Sequence, residues 1–229
     1  MIKKVALSLP ASSRELLEKY EEYLREVRGY SQYTITMYSR KLRFFLERGY
    51  SANDLCGAVF MLIEKHSKGG DCYDQKDHGN TVSALKRLRE YVFAPYADTF
   101  CVEYDFGWNS FSPKDQYVSG YTIKQGEFLV KYSKDFSLCG TKTFRVKDDD
   151  FYQLLKLFRD YRSYLSDSHT AIVNENHNSA SRYAYTFGDR SACDCGCLFA
   201  SKTPSDDRIA NQATALYREW LQNYEPLAH

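Results

Sequence analysis

A chain of 229 residues, 43% of them hydrophobic, carries enough apolar matter for one or two domains with a core in each. Its formal net charge of +1 neither demands nor forbids a polyanionic partner, and no run of about 18 apolar residues exists to cross a bilayer. Seven cysteines, an odd number, read as reduced thiols, and Val5-Ala6-Leu7 is too short for a secretory signal, so a cytoplasmic protein with no membrane partner is expected.

Ser12-Ser13-Arg14-Glu15 has the form of a capping box and predicts a helix start. Leu16, Leu17, Tyr20, Leu24 and Val27 recur every three or four residues, which makes one apolar stripe on a helix running to about Arg28. Gly29 ends it, and Ser31 caps a second helix whose Ile35, Tyr38, Leu42, Phe45 and Leu46 point to the same core before Gly49 stops the chain again. The opposite face of this pair bears Arg28, Arg40, Lys41, Arg43 and Arg48. Ser51 to Asp54 offers caps for a third helix, apolar almost all round through Leu55, Val59, Phe60, Leu62 and Ile63, and therefore expected at the centre. Lys68-Gly69-Gly70-Asp71 breaks it, a polar loop follows to Gly79, and Asn80 caps a fourth helix with Val82, Leu85, Leu88 and Val92 inward.

Pro95 and the acidic, aromatic stretch from Asp98 mark a boundary, dividing the chain into a helical domain over 1–97 and an α+β domain over 98–229. Alternation predicts strands at Phe100 to Phe106, Tyr117 to Ile123 and Glu127 to Tyr132, with a hairpin turn at Gln125-Gly126, and a further strand at Thr141 to Val146. Asp148-Asp149-Asp150 opens a helix carrying Phe151, Leu154, Leu155, Phe158, Tyr161 and Leu165. Arg182 to Phe187 reads as a strand, and a last helix starts at Ser205 or Asp206 with Ile209, Ala213, Leu216, Trp220 and Leu221 on its buried side. The second domain is thus a small antiparallel sheet packed with helices.

The run Tyr23 to Leu46 carries Gly29, Ser31, Thr34, Ile35, Tyr38, Leu42 and Phe45 in the order helix, glycine, Ser-x-x-Thr-Ile-x-x-Tyr, Leu-x-x-Phe. With Asn80 to Val92 as a closing helix, it resembles the N-terminal, SAM-like core-binding domain of phage integrases and other tyrosine recombinases, over about residues 12–95. The resemblance implies a four-helix bundle gripping one side of a DNA duplex, with two helices near the major groove. It makes Arg40, Lys41 and Arg43 on the second helix, and Lys86, Arg87 and Arg89 on the fourth, the candidate DNA contacts. Taken without it, the same six residues are the solvated faces of two amphipathic helices.

Recombinase chemistry is not expected. Those enzymes support their tyrosine nucleophile with arginines and a His-x-x-Arg element, and none of His66, His78, His169, His177 or His229 has arginine three residues on. No phosphate-binding glycine motif occurs, so no cofactor is expected. Cys193, Cys195 and Cys197 are spaced two apart with no second pair, which fits small residues alternating along a strand better than a zinc site, although His177 or Cys139 is available as a fourth ligand. Asp148 to Asp150 is a helix start before it is a cation site. No metal is expected.

Charge is unevenly placed, with 16 Lys/Arg against 12 Asp/Glu in residues 1–97 and 15 against 18 in the remainder. The expected function is that of a non-enzymatic, double-stranded DNA-binding protein of a phage or mobile element. The alternative is a protein-interaction or inhibitor module whose partner meets the second domain, where Tyr104, Phe106, Trp108, Phe111, Tyr117 and Tyr121 crowd the first strands as core, partner surface or base-stacking platform. A third reading is a phosphodiester-cleaving enzyme with an unfamiliar site. Charge placement separates the first two: one uninterrupted face of Arg40, Arg43, Lys86, Arg87 and Arg89 favours DNA, and interspersed carboxylates favour a protein partner.

Overall fold

A computed structural model describes residues 9–105, 117–124, 126–134, 137–160, 181–187, 190–196 and 204–227. The chain divides into two compact units, Met1–Ala94 and Pro95–His229. Its secondary structure is mixed α-helix and antiparallel sheet. No helix among the described residues is long and apolar enough to cross a membrane.

The first unit is helical. α1 (Ala11–Glu26) and α2 (Gln32–Leu46) are joined at Gly29, whose φ of +65° is the left-handed turn that a glycine permits at little cost. α3 (Ala52–Gly57) and α4 (Val59–His66) follow, then a 3-10 turn (Gln75–Asp77) and α5 (Asn80–Ala97). Tyr20 and Leu24 of α1, Ile35 and Leu42 of α2, Leu55, Val59, and Ala84, Leu85, Leu88 and Phe93 of α5 are all at most 1% exposed and form the core. The Tyr20 hydroxyl donates to the Ala84 carbonyl at 3.1 Å, tying α1 to α5 inside it, and burial pushes this phenol far above its ordinary pKa. Tyr20→Phe removes only that bond and should lower stability by about 1 kcal/mol, read as a small fall in the thermal midpoint of the helical signal.

Several local expectations need correction. The cap of α1 is Pro10 with no side-chain bond, because Ser13 is buried and Glu15 instead pairs with Lys19 one turn on at 2.8 Å. Val27, expected inside, is 67% exposed, since α1 has already ended before it. Ser31 does cap α2, accepting from the Thr34 N–H at 3.4 Å. The third predicted helix is two, interrupted at Ala58, where ψ of 0° leaves the helical path, and Met61 on α4 is 41% exposed. The helix enclosed on most sides is α5 instead, which buries Arg89 and Glu90 as well as its apolar stripe. Asp77, not Asn80, accepts from the first turn of α5, through the Thr81 N–H at 2.6 Å. Pro95 lies inside α5, which runs on to Ala97.

The second unit is built on a six-stranded sheet in the order β4-β3-β2-β1-β5-β6, every neighbouring pair antiparallel. The strands are β1 (Cys101–Asp105), β2 (Tyr117–Lys124), β3 (Glu127–Lys134), β4 (Ser137–Arg145), β5 (Ser181–Phe187) and β6 (Arg190–Gly196). β4 starts earlier than the alternation predicted, and Gly126, at φ +77°, turns β2 into β3. Val102, Tyr121, Ile123, Phe128, Val130 and Phe144 are buried beneath α6 (Asp148–Asp160) and α7 (Pro204–Asn223), whose Phe151, Leu154, Leu155, Phe158, Tyr217 and Trp220 close the core. Phe128 is its hub, with ring centroids of Tyr121, Phe144, Tyr217 and Trp220 between 5.3 and 5.9 Å away.

Tyr121 is therefore core. The side chains of Tyr104, Phe106, Trp108, Phe111 and Tyr117 lie outside the described residues, as do Tyr161, Leu165, His169, His177, Cys197 and Gln125. Cys193 and Cys195 are placed on β6, and Cys56, Cys72, Cys101 and Cys139 are not in disulfides. Asp150 of the acidic run accepts from the Tyr224 hydroxyl, pinning the end of the chain to the start of α6.

Candidate nucleic-acid interface

α2 divides cleanly around its axis. Ile35, Ser39, Leu42, Phe45 and Leu46 are buried, while Tyr33, Met37, Arg40 and Phe44 recur on the outer side at helical spacing. Tyr33 is 81% exposed and Phe44 45%, and the Arg48 guanidinium lies 3.4 Å from the centre of the Phe44 ring. Arg40 within this stripe and Arg43 on its flank are exposed and make no ion pair among the described residues. The outer face of α2 is thus cationic and aromatic, with Glu47 as its one carboxylate at the C-terminal end.

This face forms one wall of an open cleft of about 850 Å³. The facing wall is the stretch from His66 to Thr81, contributing Cys72, Asp74, Asp77 and Asn80. His66 packs edge-on against Phe45 with centroids 5.5 Å apart; burial holds its imidazole below the ordinary value against the pull of Asp77. Asp77 is pulled upward by burial, but hydrogen bonds from Lys41 and Thr81 outweigh this and hold its carboxyl below the usual range.

The six predicted contacts separate into two groups. Arg40 and Arg43 face solvent on α2. The expectation fails for Arg89, which is 3% exposed with its guanidinium 5.7 Å from the centre of the Phe60 ring and cannot reach a ligand. It fails also for Arg87 as a free cation: both oxygens of Glu90, itself 5% exposed, accept from its guanidinium. Burial works against the charge on Arg87 and the Glu90 carboxylate more than offsets it. Arg28 reaches the same carboxylate at 3.6 Å from the end of α1. Lys41 is paired with Asp77, and Lys86 is half-buried. The continuous five-residue face across both helices therefore does not exist. α5 fails because it is enclosed on so many sides that its polar residues brace the bundle instead of facing outward.

The cleft, with Tyr33, Phe44, Asn80 and Thr81 in it, has no motif that names it in the sequence; the available signal was the period of Tyr33, Met37, Arg40 and Phe44 opposite the core stripe. Among the described residues no group of three or more His, Cys, Asp or Glu is arranged to hold a metal ion. No protein-family model, curated protein or solved structure matches the chain.

Proposed function

We propose that the helical unit holds double-stranded DNA through the outer face of α2, as the resemblance to integrase core-binding domains implies, and that the chain serves a phage or mobile element as a binding protein without catalytic chemistry. The observation that supports this reading is the exposure of Arg40 and Arg43 on one helix face with no carboxylate partner among the described residues. Guanidinium groups held on a rigid helix donate bidentately to phosphate oxygens or to a guanine edge, and each phosphate neutralised releases counterions. The exposed Tyr33 and Phe44, with the half-buried Met37 between them, supply apolar contact to sugars and thymine methyl groups in the same groove.

The test is a salt titration of duplex binding by the full chain and by its Arg40→Ala/Arg43→Ala variant. Loss of two phosphate contacts should flatten the slope of log K against log salt by about 2 and weaken low-salt binding about tenfold to a hundredfold. A chain that binds without a salt slope, or a double variant that binds like the parent, overturns the reading. A protein partner on the same face is the second reading, favoured by the 81% exposure of Tyr33 and by the carboxylates of Asp74 and Asp77 in the cleft, because exposed aromatics and arginines are the residues that anchor protein interfaces. Its signature is an interaction lost with Tyr33→Ala and little changed by salt.

A further inference from the structure

Lys41 follows Arg40 on α2 and lines the same cleft, yet its ammonium is held by Asp77. The carboxylate is the more enclosed partner, its side chain 11% exposed against 34% for the lysine, and it also accepts from the Thr81 N–H at the start of α5. One acidic group thus occupies the two features of the cleft that attract an anion, a lysine and a helix N-terminus. Asp74 adds a second carboxylate to the same wall, turned back to accept from the Lys76 N–H at 2.9 Å.

Asp77 sits at the end of a short turn, followed by two residues with left-handed backbone angles. His78 at φ +52° and Gly79 at φ +76° are consecutive residues in the left-handed region, directly between Asp77 and α5. A histidine there is held by its surroundings at some conformational cost, and the glycine beside it is the residue with the widest choice of backbone angles. The lysine end of the pair is a third exposed, so its ammonium lies within reach of an anion entering the cleft.

Resting on the DNA reading above, we propose that Asp77 is an autoinhibitory carboxylate, which withholds Lys41 from the phosphate backbone and is displaced, by rotation at His78 and Gly79, when a duplex seats on α2. In the closed state the face offers only its arginines. In the open state Lys41 adds one phosphate contact, so affinity depends on how readily Asp77 gives way.

The experiment is a salt titration of duplex binding by the full chain with Asp77→Asn, Asp77→Ser and Asp77→Asn/Lys41→Met. Asparagine and serine keep an oxygen that accepts from the Thr81 N–H, and thermal melting checks that each variant folds. Each single variant should bind several-fold tighter at low salt, with a slope steeper by about 1, and the double variant should return to the parental slope. Unchanged slopes in folded single variants overturn the proposal, as does a double variant that keeps the steeper slope, since the gain then owes nothing to Lys41. A parent that binds with the expected salt slope while Asp77→Asn is silent removes the latch alone. Failure of every chain to bind duplex removes the DNA reading and the latch with it.

Discussion

Glu90→Ala should cost the helical unit about 3 kcal/mol, the low end of what removing one partner of a buried ion pair costs. The Glu90 side chain is 6% exposed and receives Arg87 of the preceding turn and Arg28 just past the end of α1, whose side chains are 22% and 40% exposed. Alanine leaves Arg87 with its charge largely out of water and no anion to answer it, and the apolar replacement is too small to refill the space. The more exposed Arg28 regains hydration and adds little to the loss. Hydrogen exchange of the full chain reads the effect, because amides of α1 and α5 should lose protection while those of the sheet keep theirs. Glu90→Gln keeps the shape and one accepting oxygen and should recover part of the loss. Parental protection in the alanine variant would show that the pair contributes nothing.

Phe128→Ala should destabilise the second unit by about 3–5 kcal/mol. The ring is fully buried and meets Tyr121, Phe144, Tyr217 and Trp220, so its removal opens a cavity bounded by stiff aromatic groups that collapse poorly around it. Trp220 is a natural reporter at 5.5 Å between centroids, and its fluorescence transition in urea should move to markedly lower denaturant. Phe128→Leu fills most of the volume and should cost much less. A fluorescence midpoint unmoved by alanine would mean that the sheet and α7 are not joined through this ring.

Both predictions rest on residues whose roles differ in how readable they were. Phe128 stands in an alternating run beside a glycine turn, and alternation alone places it opposite Glu127 and Leu129 on its strand. The turn at Gly29, the Ser31 cap and the buried stripe of α2 were legible in the same way, because periodicity and capping are local chemistry between residues a few positions apart. Arg40 and Arg43 followed from that, as they lie opposite the α2 core stripe. Arg87, Arg89 and Glu90 were not legible, since a helix surrounded on several sides has no outward face to find and a low amphipathic contrast is all that betrays it.

The amino-acid order alone therefore determined where most helices and strands run, which side of each is apolar, and that α2 carries cations away from its core. Only the tertiary structure decided which cations are available. That choice was made by carboxylates distant in the chain, Asp77 for Lys41 across 36 positions and Glu90 for Arg28 across the bundle, and by the depth at which α5 is sunk. Pairing and desolvation of charge depend on what lies within a few ångströms, and apart from the Arg87–Glu90 pair within α5 those neighbours come from other parts of the chain.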